Sequence, residues 1–162
     1  MSVKQTKENT CCFTGHRDLD KRQIADARNK LMTLIAKLYE NGYRWFVCGG
    51  ALGFDTLAAS SVLASQSAFP DIELYLALPC KSQAQGWSRL NRGVYRRILA
   101  CASKVEYISD SYTPWCMLAR NRRMIELSSL CISYKLRDSG GTAYTVRAAE
   151  GASIPVLNIA NS

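Results

Sequence analysis

The sequence predicts an α/β domain: a single Rossmann-like domain with a mostly parallel sheet of about six strands and helices on both faces. Short apolar runs alternate along the chain with longer amphipathic segments, which is typical of right-handed βαβ crossovers. A glycine turn at 49–53 follows one apolar run and leads directly into a helical pattern. The 162 residues are enough for one domain with its own core.

Six short apolar runs are predicted to be strands, because turn residues bound each of them. The third run is nearly continuous in apolar side chains, which is typical of a central strand buried on both faces. The last run contains Pro155, which lacks a backbone donor, so we expect that strand at an edge of the sheet. The six predicted strands are 11–14, 45–48, 72–78, 105–108, 130–134 and 154–159.

Five segments between these runs are predicted to be helices. The first has apolar residues at three- and four-residue spacing, with Asp18 or Asp20 as its N-cap and Gly42 just beyond its end. A polar stretch at 82–93 is predicted to be a loop or broken helix, and Pro114 fits the first turn of the fourth helix. The predicted helices are 24–38, 55–67, 94–101, 114–128 and 140–150.

Composition restricts the class of protein. The first ten residues are polar and are expected to form a tail before a domain at 11–162. They do not resemble a signal sequence, and no apolar run approaches the length of a membrane span, so we expect a cytoplasmic protein without a membrane partner. Seven cysteines without a CxxC pair, and one histidine, predict reduced buried thiols and no metal or cofactor.

Ligands of open α/β sheets bind beyond the carboxyl ends of the strands. The candidate segments are therefore those that follow predicted strands: 14–17, 49–55, 79 onward, 109–113 and 139–142. The glycine turn, with Asp55 behind it, either holds a phosphate at a helix N-terminus or forms a tight loop capped by Asp55. No Walker A triplet occurs, and the spacing of the glycines differs from the dinucleotide fingerprint.

Single residues at this rim allow two interpretations each. His16 with Arg17 either contacts an anion or fixes its own loop through a backbone hydrogen bond. Trp87 either stacks on a base or covers the core beneath a loop. Arg120 either points to the rim or forms a surface salt bridge. Cys80 is interpreted as a packing residue, because no second histidine exists to activate it.

Several motifs, in this order, resemble the YpsA-type branch of the SLOG superfamily over residues 11–159. They are Phe13-Thr14-Gly15-His16-Arg17, Gly49-Gly50-Ala51-Leu52-Gly53-Phe54-Asp55, Leu78-Pro79-Cys80 with Gln83 and Trp87, Arg120-Asn121 with Met124, and Gly140-Gly141-Thr142-Ala143. The resemblance implies a Rossmann-like fold that binds nucleotides or nucleotide-derived signals. It also implies a relationship to the LOG phosphoribohydrolases and, more distantly, to the DNA-processing protein DprA.

Two motifs depart from the LOG pattern, at three positions. Asn121 replaces a lysine, and Tyr144 and Thr145 lie where the catalytic acid of LOG enzymes is expected. Cleavage of an N-glycosidic bond needs a carboxylate beside the developing positive charge. The resemblance therefore favours ligand binding over cleavage, with Asp55 as the best remaining candidate acid.

The resulting hypothesis is a protein that binds a nucleotide or nucleotide-derived small molecule for sensing or sequestration. One alternative is an N-glycosidase or phosphoribohydrolase that uses Arg120 and Asp55, and another is single-stranded DNA binding, favoured by the net charge of +8. A homodimer is implied by analogy with LOG relatives. The expected ligand-binding residues are Thr14, Gly15, His16, Arg17, Gly49, Gly50, Ala51, Gly53, Asp55, Pro79, Gln83, Trp87, Tyr112, Arg120, Asn121, Gly140, Gly141 and Thr142.

Overall fold

Six strands form one sheet in the computed structural model, which describes residues 2–161. The strands are β1 (Thr10–Gly15), β2 (Trp45–Cys48), β3 (Glu73–Cys80), β4 (Lys104–Ser109), β5 (Leu130–Tyr134) and β6 (Val156–Asn158). All five pairings are parallel, and the strand order is β4-β3-β2-β1-β5-β6. The predicted fold class is confirmed, and the strand after Pro155 lies at an edge of the sheet, as expected.

Helices cover both faces of the sheet. They are α1 (Lys21–Glu40), α2 (Phe54–Ser65), α3 (Arg89–Cys101), α4 (Cys116–Leu127) and α5 (Gly140–Gly151), followed by a 3-10 turn at Ile159–Asn161. One buried cluster joins α1, α2 and α3 to the sheet through residues such as Leu31, Phe54 and Ile98. A second cluster joins α4 and α5 to the opposite face through Met124 and Ala149. Among residues 2–161, no helix is both long and apolar enough to cross a membrane.

The direction of chain progression reverses at β1. The strands β2, β3 and β4 extend the sheet on one side of β1, and β5 and β6 extend it on the other. Thr14 lies opposite Ser133 in the β1–β5 register, and Gly15 lies opposite Tyr134. A crevice is therefore expected beyond the carboxyl ends of β1 and β5, where their following loops diverge.

The N-terminus of α1 is closed by its own side chains. Asp20 is the N-cap, and its carboxylate accepts from the backbone N–H of Gln23 at 2.8 Å. The Gln23 side chain in turn accepts from the backbone N–H of Asp20 at 2.9 Å. This reciprocal capping box satisfies two helix-end donors and selects Asp20 over Asp18 as the cap.

Several predicted boundaries were wrong: α1 begins earlier, at Lys21, and β6 is shorter, at Val156–Asn158, and four further differences have identifiable features. The strand β3 continues through Pro79 and Cys80, because β2 pairs with it only as far as Leu76 and the missing proline N–H is not needed beyond that point. The helix α3 begins five residues earlier than predicted, because the Ser88 hydroxyl caps it by accepting from the Asn91 N–H. The other two corrections concern α4, which begins after Pro114, and α2, whose N-cap is Gly53 rather than Asp55.

The polar segment before β1 lies against the sheet. The Trp45 indole N–H donates to the Val3 carbonyl at 2.7 Å, and the Asn9 carbonyl accepts from the backbone N–H groups of Arg44 and Trp45. All seven cysteines are free thiols; Cys101 is exposed and the other six are buried. Cys80 packs in β3, as its interpretation requires.

Candidate functional site

A cavity of about 300 Å³ lies beyond the carboxyl ends of β1 and β5. Its walls come from the loops after these strands, the start of α2, the middle of α4 and the N-terminus of α5. Eleven of the expected ligand-binding residues line it: Thr14, Gly15, His16, Arg17, Ala51, Asp55, Arg120, Asn121, Gly140, Gly141 and Thr142. The volume is at the lower end of the range for small-molecule sites.

Arg120 is a buried cation in the wall of this cavity, with 6% of its surface exposed. Its Nη1 donates to the Gly49 carbonyl, and its Nε donates to the Asn121 side-chain oxygen at 2.8 Å. The one hydrogen bond of its Nη2 among residues 2–161 is to the Met117 sulfur, at 3.9 Å, and no carboxylate oxygen of these residues lies within 4 Å of the guanidinium. A thioether is a weak acceptor, so Nη2 keeps its capacity to bind an anion. This position differs from the surface salt bridge that we considered as an alternative.

Asp55 is the buried acid of the cavity. One carboxylate oxygen accepts from the Ala51 N–H at 3.2 Å. Burial raises the pKa of Asp55 to about 6, although Arg120, the Ala51 N–H and Arg17 each act to lower it. A carboxyl group that changes protonation near neutral pH can transfer a proton or adjust its charge to a nearby anion.

His16 joins the two loops that border the cavity. Its carbonyl accepts from the Phe54 N–H at 3.0 Å, and its ring Nε2 accepts from the Leu136 N–H at 2.9 Å. Burial lowers the pKa of His16, with Arg137 acting in the same direction and Asp18 opposing it. An accepting Nε2 requires a ring without a proton on that nitrogen. Both interpretations of His16 therefore apply, because the ring fixes a loop and also lines the cavity.

The N-terminus of α5 faces the cavity without a side-chain cap. Ser139 occupies the N-cap position and makes no capping hydrogen bond. Gly140 has φ +90°, and a Cβ at this position would meet no atom within 4 Å. The first amides of a helix are donors without intrahelical partners and carry the positive end of its dipole. Because 139–142 line the cavity, these donors are placed to receive an anion.

The glycine turn before α2 is filled by the protein itself. A Cβ at Gly53 would overlap the carbonyl oxygens of His16 and Arg17, and one at Gly50 would overlap Leu78. A Cβ at Gly49 would collide with the Arg120 guanidinium. These glycines permit close packing behind the cavity, while only Ala51 and Asp55 of this segment line it.

Seven expected ligand-binding residues lie outside the cavity lining: Gly49, Gly50, Gly53, Pro79, Gln83, Trp87 and Tyr112. Gly49 and Gln83 form a second layer, because the Gly49 carbonyl accepts from both Arg120 and the Gln83 side-chain amide. Trp87 packs edge-on against Tyr95 instead, at a centroid distance of 5.3 Å. Tyr112 is 64% exposed, in the loop after β4.

Sequence analysis missed several residues at the cavity. Arg137 lines it and forms an ion pair with Asp18 at 3.0 Å, joining the loops after β5 and β1. Met117 and Leu118 add an apolar wall, next to Met124 of the α4 motif. The Ser133 hydroxyl, beside Thr14 in register, is a buried group without a hydrogen-bond partner among residues 2–161. The spacing of basic residues after β5 is the one sequence signal that points to Arg137.

The positions that depart from the LOG pattern carry no acid into the cavity. Thr145 is buried, and its hydroxyl donates to the Gly141 carbonyl at 2.9 Å. The Tyr144 hydroxyl accepts from Arg122 at 3.2 Å on the exposed side of α4. The carboxylates among the lining residues are Asp18 and Asp55.

Comparisons with known proteins agree with the fold. The model of the YspA SLOG family matches residues 11–154. The UPF0398 protein of Bacillus thuringiensis strain Al Hakam is 31% identical over 126 residues, which are 76% of this chain and 66% of that protein. The chain thus spans just under two thirds of the length of this curated relative.

Two solved structures share the architecture. The DprA of Streptococcus pneumoniae superposes with a TM-score of 0.68 at 18% identity, covering 93% of this chain and 50% of that one. The DprA of Helicobacter pylori gives 0.65 at 24% identity, covering 91% and 63%, and its structure describes how that protein binds single-stranded DNA. At these identities, the likeness shows a common fold.

Proposed function

The chain belongs to the YspA SLOG family, and from that premise we propose that its cavity binds the phosphate of a nucleotide or nucleotide-derived molecule. Such binding would serve sensing or sequestration of that molecule. The cavity has the size of a small-molecule site and lies at the switch point of a parallel sheet.

The observation that carries the proposal is the incomplete pairing of Arg120. A buried guanidinium loses its hydration, and its remaining donors need an acceptor. The Gly49 carbonyl and Asn121 use two of its three nitrogens, and Nη2 has only a sulfur contact. A phosphate oxygen in the cavity would provide a strong charge-assisted acceptor.

Two further features support an anionic ligand. The uncapped N-terminus of α5 lines the same cavity as Arg120, which places two kinds of anion donor in one site. Arg17 and Arg137 line the mouth, and Arg17 has no carboxylate within 4 Å among the described residues. The three arginines outnumber the two carboxylates of the lining, Asp18 and Asp55.

Isothermal titration of the wild-type chain against nucleoside mono-, di- and triphosphates, ADP-ribose forms and cyclic nucleotides tests the proposal. Arg120→Met should weaken binding of any ligand found by about ten- to a hundredfold, the value of one or two charge-assisted hydrogen bonds. Arg122→Met is the matched control, because Arg122 lies two residues along α4 and is exposed. Absence of heat from the whole panel, or equal loss in both variants, would contradict the proposal.

A second candidate function is cleavage of an N-glycosidic bond. The observation that favours it is Asp55, a buried carboxyl in the cavity whose pKa of about 6 suits proton transfer near neutral pH. Incubation with nucleoside monophosphates, followed by chromatography for the free base, distinguishes cleavage from binding. Base release that disappears in Asp55→Asn would establish the enzyme, and intact nucleotide after long incubation would favour binding alone.

A further inference from the structure

A second cleft of about 370 Å³ lies between the segment after β3 and the helix α3. Lys81, Ser82 and Gln85 form one wall, and Arg92, Tyr95 and Arg96 form the other. Among the residues that the structure describes, no carboxylate belongs to its lining. The proposed nucleotide pocket does not include any of these residues, so the cleft is a separate feature of the same rim.

The arginines of this cleft are not used by the fold. Neither the Arg92 nor the Arg96 side chain has a carboxylate within 4 Å or a hydrogen bond among the described residues, and the exposed side chains of Arg89 and Arg97 on the same helix also have none. Lys81 has one distant ion pair, to Asp110 at 3.8 Å, and both partners are largely exposed. An exposed pair of this kind contributes little, so the cleft keeps a strongly positive potential.

A short polar relay connects the cleft to the main cavity. The Tyr95 hydroxyl donates to the Gln83 side-chain oxygen at 3.4 Å, and the Gln83 amide donates to the Gly49 carbonyl at 3.4 Å. The same carbonyl accepts from Arg120, which lines the main cavity. Only two side chains and one carbonyl therefore separate the two positive sites.

Aromatic side chains accompany the arginines. Tyr95 lines the cleft, and half-buried Trp87 packs edge-on against it. Cationic side chains that follow a phosphate backbone, with aromatic rings beside them for stacking, form the usual surface for a single-stranded nucleic acid. The main cavity, at about 300 Å³, is at the lower end of the range for small-molecule sites, so a ligand longer than one nucleotide would have to leave it along the rim.

We propose that the cleft of Lys81, Arg92 and Arg96 is a second phosphate subsite, and that the ligand is a linear chain of at least two nucleotides. One nucleotide occupies the main cavity, as the proposed function requires. The next phosphates pass along the rim from the main cavity to α3, where Trp87 supports a base. The inference rests on the proposed function and adds to it the length of the ligand.

The test measures affinity against ligand length. Fluorescence anisotropy measures the affinity of the chain for random-sequence, 5′-phosphorylated oligonucleotides of two, four and eight residues. Competition against the labelled oligonucleotide gives the affinity for mononucleotides. We expect oligonucleotides of four residues to bind at least tenfold tighter than mononucleotides. Arg92→Gln with Arg96→Gln should remove that gain, leave mononucleotide affinity within twofold, and reduce the slope of log K against log salt by about 1.

A matched control separates the cleft from total charge. Arg22→Gln with Arg28→Gln removes two exposed arginines from α1, which also have no carboxylate within 4 Å among the described residues, and should leave both affinities unchanged. Affinity independent of length would overturn the inference, as would equal losses in the two double variants. Loss of mononucleotide binding in the α3 variant would also overturn it. A third outcome separates the two proposals. If oligonucleotides still bind to Arg120→Met but no longer bind to the α3 variant, the proposed function of the main cavity is contradicted and the cleft on α3 is retained as a binding site.

Discussion

Two glycine turns precede helices whose first residues reach the same cavity, and they use their glycines differently. In the turn before α2, Gly50 and Gly53 have φ of +71° and +77°, and the space beside them is filled by Leu78 and by the carbonyls of His16 and Arg17. In the turn that begins α5, Gly140 has φ +90° and open space beside it, and the nearest atom to a Cβ at Gly141 is the Asn121 Nδ2, at 4.0 Å.

The backbone N–H donors at the N-termini of α2 and α5 also differ in whether the protein itself supplies their acceptors. The Phe54 N–H at the start of α2 donates to the His16 carbonyl, and the Asp55 side chain accepts from the Ala51 N–H within the turn. Ser139 leaves the start of α5 without a side-chain cap. A glycine turn before a helix therefore indicates a ligand site only where the protein has not already filled the turn. By this criterion, we propose that the anion binds at the N-terminus of α5, while the turn before α2 packs behind the site.

Substitution at Gly53 should have the largest effect. Gly53→Ala adds a Cβ that overlaps two carbonyl oxygens and places alanine at φ +77°. We expect a loss of about 3 kcal/mol or more in the free energy of unfolding, because the neighbouring atoms are backbone and cannot rotate away. Urea denaturation followed by circular dichroism measures the loss. Gly86→Ala is the control, since a Cβ there meets nothing within 4 Å. Equal stability of the two variants would show that the α2 turn is not tightly packed.

Asp55 should produce the next largest effect, and it depends on pH. Its folded pKa of about 6 lies above the ordinary value of 3.8, so the folded protein favours the neutral carboxyl. The corresponding stability is fully present below about pH 4 and is lost as pH rises through 6. Asp55→Asn keeps a neutral side chain, so at pH 8 it should unfold with a free energy greater by up to about 3 kcal/mol.

Urea denaturation between pH 4.5 and 8 measures this difference, which should shrink towards the acidic end. Asp110→Asn, at an exposed carboxylate beyond β4, is the control and should follow the wild type. A gain in stability that is the same at every pH would contradict the assignment of a raised pKa to Asp55.

His16 connects the start of α2 to the loop that leads to α5, and its substitution should affect these two contacts unequally. In His16→Ala the backbone carbonyl still accepts from Phe54, whereas the Leu136 N–H loses its ring acceptor. We expect a cost of about 1 kcal/mol and faster hydrogen exchange at Leu136, with little change at Phe54. Because the lowered pKa of His16 keeps the ring neutral at pH 7, the wild type should show the same loosening only on acidification. Unchanged exchange at Leu136 would contradict this role.

The features predicted correctly from sequence are those set by local periodicity. The boundaries of β2 and β5 agree with prediction, because each is a short apolar run with turn residues on both sides. The start of α3 was wrong, because a serine cap in a polar stretch resembles a loop until the helix is seen. The Asp18–Arg137 ion pair joins residues 119 apart in sequence, and no local pattern specifies such a contact.

The two glycine turns show the same difference between features set by local sequence and features set by contacts between distant residues. Their glycines, and the helices that follow them, could be recognised in the sequence. Whether the space beside each glycine is filled depends on Leu78, His16 and Arg17, which reach the α2 turn only after the sheet has formed. For this reason, sequence analysis left open whether the α2 turn holds a phosphate or is a tight loop, and the structure shows that the protein itself fills this turn.

Substitution at Gly141 should have the smallest effect on stability and yet a clear effect on binding. A Cβ there has ordinary clearance from Asn121 and no positive φ, so Gly141→Ala should change the free energy of unfolding by less than about 0.5 kcal/mol. The added methyl group narrows the approach to the α5 amides, and we expect about tenfold weaker binding of the phosphate ligand, or about 1.4 kcal/mol. Gly151→Ala, at the far end of the same helix with open space around it, is the control for both measurements. If Gly141→Ala bound the ligand as tightly as Gly151→Ala, the phosphate would not lie at α5. Open space beside a glycine would then not be sufficient to identify an anion-binding site.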